Sequence, residues 1–221
     1  LCPDRSILGM SKPIKREGGL AEYVSIPDKN IYEIPKGLDT KEAAVAEPTA
    51  VSLHAVLLGE QTLKKPISEC RVLIQGGGAI GLLCGLILAK DKGCKNIVLS
   101  DPNKKRLDEC SKYLDAKYVA PNDKIINSNG FDIVFDSVGL EVSRQQAAGT
   151  FNFRKLTLQD ITLVGTYCYT NKDFQQTINL LHNKKLGPLN WIEYRELKNG
   201  ANAFKEIHDG TCVAPKIILI P

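Results

Sequence analysis

The feature that most constrains this chain is a glycine-spaced turn, Gly76-x-Gly78-x-x-Gly81, lying between two apolar runs of different period. The first run, residues 70–75, reads as a buried strand, and the run after the glycines reads as an apolar helix to about Lys92. In that context each glycine has a task. Gly76 permits the tight turn, Gly78 lets backbone approach a pyrophosphate, and Gly81 lets the helix pack close to the strand. The helix N-terminus then offers free N–H groups and partial positive charge to phosphates. Asp101 stands 20 residues after Gly81, at the end of a second strand over 96–100. A carboxylate there can accept hydrogen bonds from a ribose diol and would repel a 2′-phosphate, which favours NAD over NADP. The plainer role for Asp101 is to cap the helix that opens at Pro102.

Alternation continues beyond the turn. The helix after Pro102 carries an apolar stripe of Leu107, Cys110 and Leu114, and short strands are expected at 117–119, 131–135 and 161–165. Strand and helix in turn imply a parallel sheet covered on both faces, an α/β, doubly wound arrangement. The flanks differ. Residues 1–40 carry Gly and Pro punctuation around one strand-like phrase, 20–26, bounded by Gly18-Gly19 and Pro27. Thr40 can cap a helix running to about Leu58, with Pro48 disturbing its first half. From Thr170 the sequence predicts a helix over 173–182 and a closing strand over 216–220.

Two other glycine-loop chemistries fit less well. A nucleotide-triphosphate loop would end Gly-Lys-Ser/Thr, and this one ends Gly81-Leu82-Leu83. A methyltransferase would usually carry an acid near the end of the first strand, where this chain has Ile74-Gln75. The spacing Tyr-x-x-x-Lys occurs at Tyr113/Lys117 and Tyr32/Lys36, but neither lies where a proton-transfer pair would be useful.

Composition narrows the partners. The net charge of +4 arises from 29 basic and 25 acidic residues, and the basic pairs are scattered without an aromatic-rich RNA-binding signature. No nucleic-acid partner is expected. The longest near-apolar run, residues 80–89, falls well short of the roughly 18–20 residues needed to span a bilayer. Seven cysteines without a C-x-x-C pair fit thiols in a reducing, cytoplasmic setting better than a disulfide framework.

Taken together, these phrases resemble the medium-chain dehydrogenase/reductase superfamily, and within it the zinc-dependent sorbitol, threonine and alcohol dehydrogenases. The resemblance is carried by Gly18-Gly19-Leu20-Ala21-Glu22-Tyr23-Val24, by Ala46-Glu47-Pro48 with Leu53-His54-Ala55-Val56, and by the glycine turn through Asp101. Gly200-Ala201-x-Ala203-Phe204 and the terminal Lys-Ile-Ile-Leu-Ile-Pro complete it. It implies a Rossmann-type domain over 49–169, with part of a β-rich GroES-like catalytic domain over 1–48 and a return to that domain over 170–221. It also implies an NAD- and zinc-dependent oxidoreductase that interconverts a secondary alcohol or small polyol and its ketone, as a homodimer or homotetramer.

Residue roles follow from the same resemblance. Glu47 matches a glutamate beside the catalytic zinc, although on its own it reads as an ordinary helix-start acid. Cys2 matches the last of four cysteines in a structural zinc lobe. Arg106 matches a basic residue flanking the adenosine ribose; alone it belongs to a solvated helix face. Ile80, Val138 and Gly139 match contacts to the cofactor backbone and nicotinamide. Thr166, Tyr167 and Cys168 match the lining of the nicotinamide pocket, with Tyr169 next to substrate. Sorbitol dehydrogenases carry arginine at the Cys168 position, so cysteine here argues against a polyol. Among the three histidines, His54 reads as a packed helix residue rather than a ligand.

The chain departs from that pattern in two ways. It begins with Leu rather than Met, and the zinc's cysteine and histidine are expected upstream of residue 1. The strand expected between Gly139 and Phe151 has no counterpart, and the stretch from Val119 to Phe131 is short. Both point to omitted segments, and hence to discontinuities within 119–131 and 139–151; an unbroken chain would point instead to a shortened, non-catalytic protein.

Overall fold

A computed structural model describes residues 6–10, 15–127, 130–140, 158 and 160–221. They fall into two compact units, one of residues 34–192 with 213–216, the other of 1–33 with 193–212 and 217–221.

The larger unit is built on four parallel strands in the order β3-β2-β1-β4. These are β1 (Arg71–Gln75), β2 (Asn96–Ser100), β3 (Lys117–Val119) and β4 (Ile133–Asp136). β1 is paired on both sides, Val72 opposite Ile97 and Ile133, and Gln75 opposite Ser100 and Asp136. β1 is thus an inner strand, and because helices cover both faces of the sheet Val72, Leu73 and Ile74 are all apolar and buried.

Helices cover both faces. On one, α3 (Ala79–Leu86) crosses so closely that a methyl group on Gly85 would lie 2.4 Å from Leu114 and 3.4 Å from Ile74. On the other, Leu73, Val98 and Val119 pack with Ile126 of a short helix, α5 (Lys124–Asn127). Between β2 and β3 runs α4 (Lys104–Cys110), capped by the Asn103 side chain. The doubly wound sheet is therefore as expected.

The helix expected from Thr40 is two helices. α1 (Thr40–Ala43) stops after one turn, and α2 (Ala46–Thr62) starts afresh. Pro48 then falls in the first turn of α2, where a missing N–H costs no intrahelical bond. Farther along, α6 (Asn171–His182) opens with a reciprocal capping box between Thr170 and Asp173 and packs on α2. His54 of α2 is part-buried there, as its apolar neighbours predicted, and meets Asp173 at 2.9 Å, a partner not read from the sequence.

Two expected strands do not form. Residues 161–165 have no strand pairing, and Ile161, Leu163 and Val164 are exposed. Among the described residues β4 is paired only with β1, so no neighbouring strand offers 161–165 a ladder. Residues 20–26 are likewise bends and irregular backbone, with Tyr23 90% exposed. A strand-like phrase without a partner edge stays irregular. Between β3 and α5, Asp123 N–H donates to Ala120 O and Ile126 N–H to Asp123 O; residues 128 and 129, within the first expected discontinuity, lie outside the described residues. The stretch 141–151, which holds most of the second expected discontinuity, lies outside the described residues, as does Cys2.

In the smaller unit, β5 (Ile192–Glu196) pairs with β6 (Lys216–Ile220), and α7 (Gly200–His208) packs Gly200 against Leu219. No helix among the described residues is long and apolar enough to cross a membrane.

Candidate functional site

The candidate site lies at the carboxyl ends of β1 and β4, where the strand order reverses and an open parallel sheet leaves a crevice. The glycine turn fills this place. Gly76 has φ +97°, a left-handed conformation that side chains resist, and its missing Cβ makes room for Ser137 and Val138. Gly81 is the tightest position: a methyl group there would sit 1.9 Å from the Gly76 carbonyl oxygen. A methyl group on Gly78 would meet nothing within 4 Å, so its backbone faces open space. The three glycines thus hold the geometry that a dinucleotide phosphate requires, and the residues present fit that group.

Asp101 is buried at the end of β2, only 4% exposed. Its carboxylate accepts from Asn103 N–H at 2.7 Å and from Gly77 N–H at 2.8 Å, and Arg106 lies 3.5 Å away. It supports the loop that opens α4 and holds the glycine turn; the second role was not among those read from the sequence. Arg106, read from sequence either as a solvated face or as a ribose neighbour, is folded onto this carboxylate.

Val138 and Gly139 follow β4, and their N–H groups converge on Asp136 at 3.0 and 3.2 Å. Val138 lies beside Gly76, where a methyl group on the glycine would come within 2.9 Å of it. Ile80 sits in the first turn of α3, and its carbonyl accepts from Ser52 of α2 at 3.2 Å. Glu47 lies five residues before Ser52 on the same helix, about 7–8 Å along the axis. It is solvent-exposed, yet enough protein crowds its carboxyl to raise its pKa, with Lys216 opposing. Thr166 and Tyr167 are exposed; Cys168 is half-buried at φ +56°, and the Tyr169 ring packs 5.4 Å from Phe174 of α6. This stretch is anchored on α6.

Zinc fits less well than the dinucleotide. Among the described residues no three His, Cys, Asp or Glu side chains are grouped to hold a metal, and Glu47 alone is not a zinc site. Sequence reasoning also missed Ser137 and Cys110. Ser137 was hidden in the phrase that ends β4, and Cys110 looked like one member of an apolar stripe.

A four-stranded parallel sheet, helices on both faces and an open glycine turn beside a buried acid define a Rossmann-type dinucleotide-binding fold. No protein-family model matches the chain. A probable diacetyl reductase, (R)-acetoin forming, of Saccharomyces cerevisiae is 30% identical over 213 residues, covering 82% of this chain and 49% of the relative. D-xylulose reductase A of Aspergillus oryzae is 27% identical over 220 residues, covering 86% and 58%. An Escherichia coli oxidoreductase/dehydrogenase of unknown specificity superposes with a TM-score of 0.82 at 24% identity, over 100% of this chain and 69% of that one. The chain belongs to the medium-chain dehydrogenase/reductase superfamily. It spans about half the length of the first of these relatives and less than two thirds of the second.

Proposed function

We propose that this chain binds a nicotinamide dinucleotide, NAD in preference to NADP, and serves an oxidoreductase that interconverts a secondary alcohol and its ketone by hydride transfer. The observation that carries the reading is the turn itself: open space beside the Gly78 backbone, and Asp101 buried at the end of β2. When bound, the dinucleotide supplies the hydride chemistry. The chain's own residues do the rest of the holding. The first-turn N–H groups of α3 receive the pyrophosphate, Asp101 accepts from the ribose diol, and Val138 borders the nicotinamide end. Thr166, Tyr167 and Cys168 are assigned to the nicotinamide lining and Tyr169 to the substrate side on the strength of the family pattern. The relatives' printed names, a diacetyl reductase and a xylulose reductase, support small ketones and secondary alcohols as the substrate class.

No step of the proposal runs through zinc, because the described residues group no ligand set for it. A dinucleotide-binding protein without turnover is the second reading, and the same observation favours it. Incubation of the chain with NAD and a panel of small vicinal diols and secondary alcohols, following NADH absorbance, separates the two. Turnover supports the oxidoreductase; NADH binding without turnover on any of them supports the second reading.

A further inference from the structure

An anion cradle must turn N–H groups toward the phosphate and its carbonyls away, because a flipped peptide would set a carbonyl oxygen against the anion. In this turn each carbonyl from Gln75 to Gly78 lies within reach of a donor, the single Ser137 hydroxyl proton being shared between Gln75 O and Gly76 O. Gln75 O accepts Ser137 N–H at 3.0 Å, and the Ser137 hydroxyl lies 2.6 Å from that oxygen and 3.2 Å from Gly76 O. The Cys110 thiol donates to Gly77 O at 3.3 Å, and Leu82 N–H to Gly78 O at 2.9 Å. Two of the N–H groups are also committed inward, Gly76 to Ser100 O and Gly77 to Asp101. What remains is the set at residues 78–81, which helix geometry leaves without an acceptor.

Resting on the dinucleotide reading, we infer that Cys110 and Ser137 are positioning residues for the phosphate turn, holding the carbonyls of Gly77 and Gly76 toward the protein interior. Gly77 is held on both sides: its N–H, in the peptide shared with Gly76, by Asp101 from β2, and its carbonyl, in the peptide shared with Gly78, by Cys110 from α4. Ser137, arriving from β4, lies against the Gly76 carbonyl, at the other end of the peptide whose Gly77 N–H is held by Asp101. Cys110 suits the task because it is fully buried: burial, then the nearby Asp101 charge, push its thiol up to about 12, so it remains a neutral S–H donor. It is a hydrogen-bonding group here, not a nucleophile.

The test titrates the unaltered chain, Cys110→Ala, Cys110→Ser and Ser137→Ala with NADH by nicotinamide fluorescence, then displaces NADH with ADP or with adenosine. Cys110→Ala and Ser137→Ala are each expected to weaken NADH and ADP about fivefold while leaving adenosine, which carries no phosphate, within about twofold. Cys110→Ser keeps a donor and restores affinity. Equal weakening of ADP and adenosine, unchanged affinity in both alanine variants, or a serine variant no better than alanine overturns the positioning role alone. An unaltered chain that binds no NADH overturns the dinucleotide reading, and the positioning role with it. If Cys110→Ala does not fold, as judged by its circular-dichroism melt, Ser137→Ala on the half-buried rim decides the question.

Discussion

Residues 71–75 and 161–165 are much the same kind of phrase, a short apolar run ending at glycine, and they meet opposite fates. The first is clamped between β2 and β4 and buried; the second is irregular and exposed, with Leu163 65% accessible. Their side chains do not explain the difference. A strand's apparent propensity is largely its fit to neighbouring strands, and 161–165 has no neighbouring strand among the described residues. Residues 141–157 lie outside the described residues, and nothing among the described ones pairs β4 with 161–165. An unmade ladder costs roughly 1–3 kcal/mol for each backbone group buried without a partner, so the orphaned phrase stays in water.

That contrast can be broken most forcefully at the turn. Gly81→Ala drives a methyl group into the Gly76 carbonyl, and we expect about 3 kcal/mol of lost stability, read by urea denaturation, together with loss of NADH binding. Gly78→Ala, whose methyl would point into open space, should fold normally and weaken NADH only. In the core, Leu73→Ala should cost about 3 kcal/mol by the same assay, whereas Leu163→Ser on the orphaned phrase should change stability by less than about 0.5 kcal/mol. A large loss at Leu163 would mean that 161–165 is packed after all.

A smaller effect concerns acid. Burial alone would raise the carboxyl of Asp173, but the Thr170 hydroxyl, the Thr170 N–H and His54 outweigh it and hold the pKa below the ordinary carboxylate value. The unfolded chain therefore binds the proton more readily, so this contribution is present above the ordinary carboxylate range and lost as pH falls through the folded value. Thermal melts between pH 7 and pH 3 should show Tm falling on the acid side, and Asp173→Asn should flatten that limb.

The fold's central half was legible because its signals are local. The Gly76–Gly81 spacing, the apolar strands and the acid after β2 each carry their reason within a few residues. Pairing is not local, and neither phrase that failed, 20–26 or 161–165, holds any sign of whether an edge awaits it. The break between α1 and α2 shows the same limit on a smaller scale: Pro48 announced a disturbance but not that a second helix would begin two residues earlier. At the site, Asp101 was found by spacing, whereas its grip on Gly77 could not be, since 24 residues of chain separate the partners. That grip alters one expectation. Asp101→Ala, which removes the charge that would repel a 2′-phosphate, also frees the Gly77 N–H and should weaken NADH as well as admit NADPH.

The central claim is that Asp101 and the glycine turn form a dinucleotide site with a preference set by charge. It is tested most directly by titrating the unaltered chain with NADH and NADPH side by side, following nicotinamide fluorescence at one ionic strength. The account predicts that NADH binds at least about tenfold more tightly, the 2′-phosphate being repelled by the Asp101 carboxylate. Equal affinity for the two, or binding of neither, would contradict it.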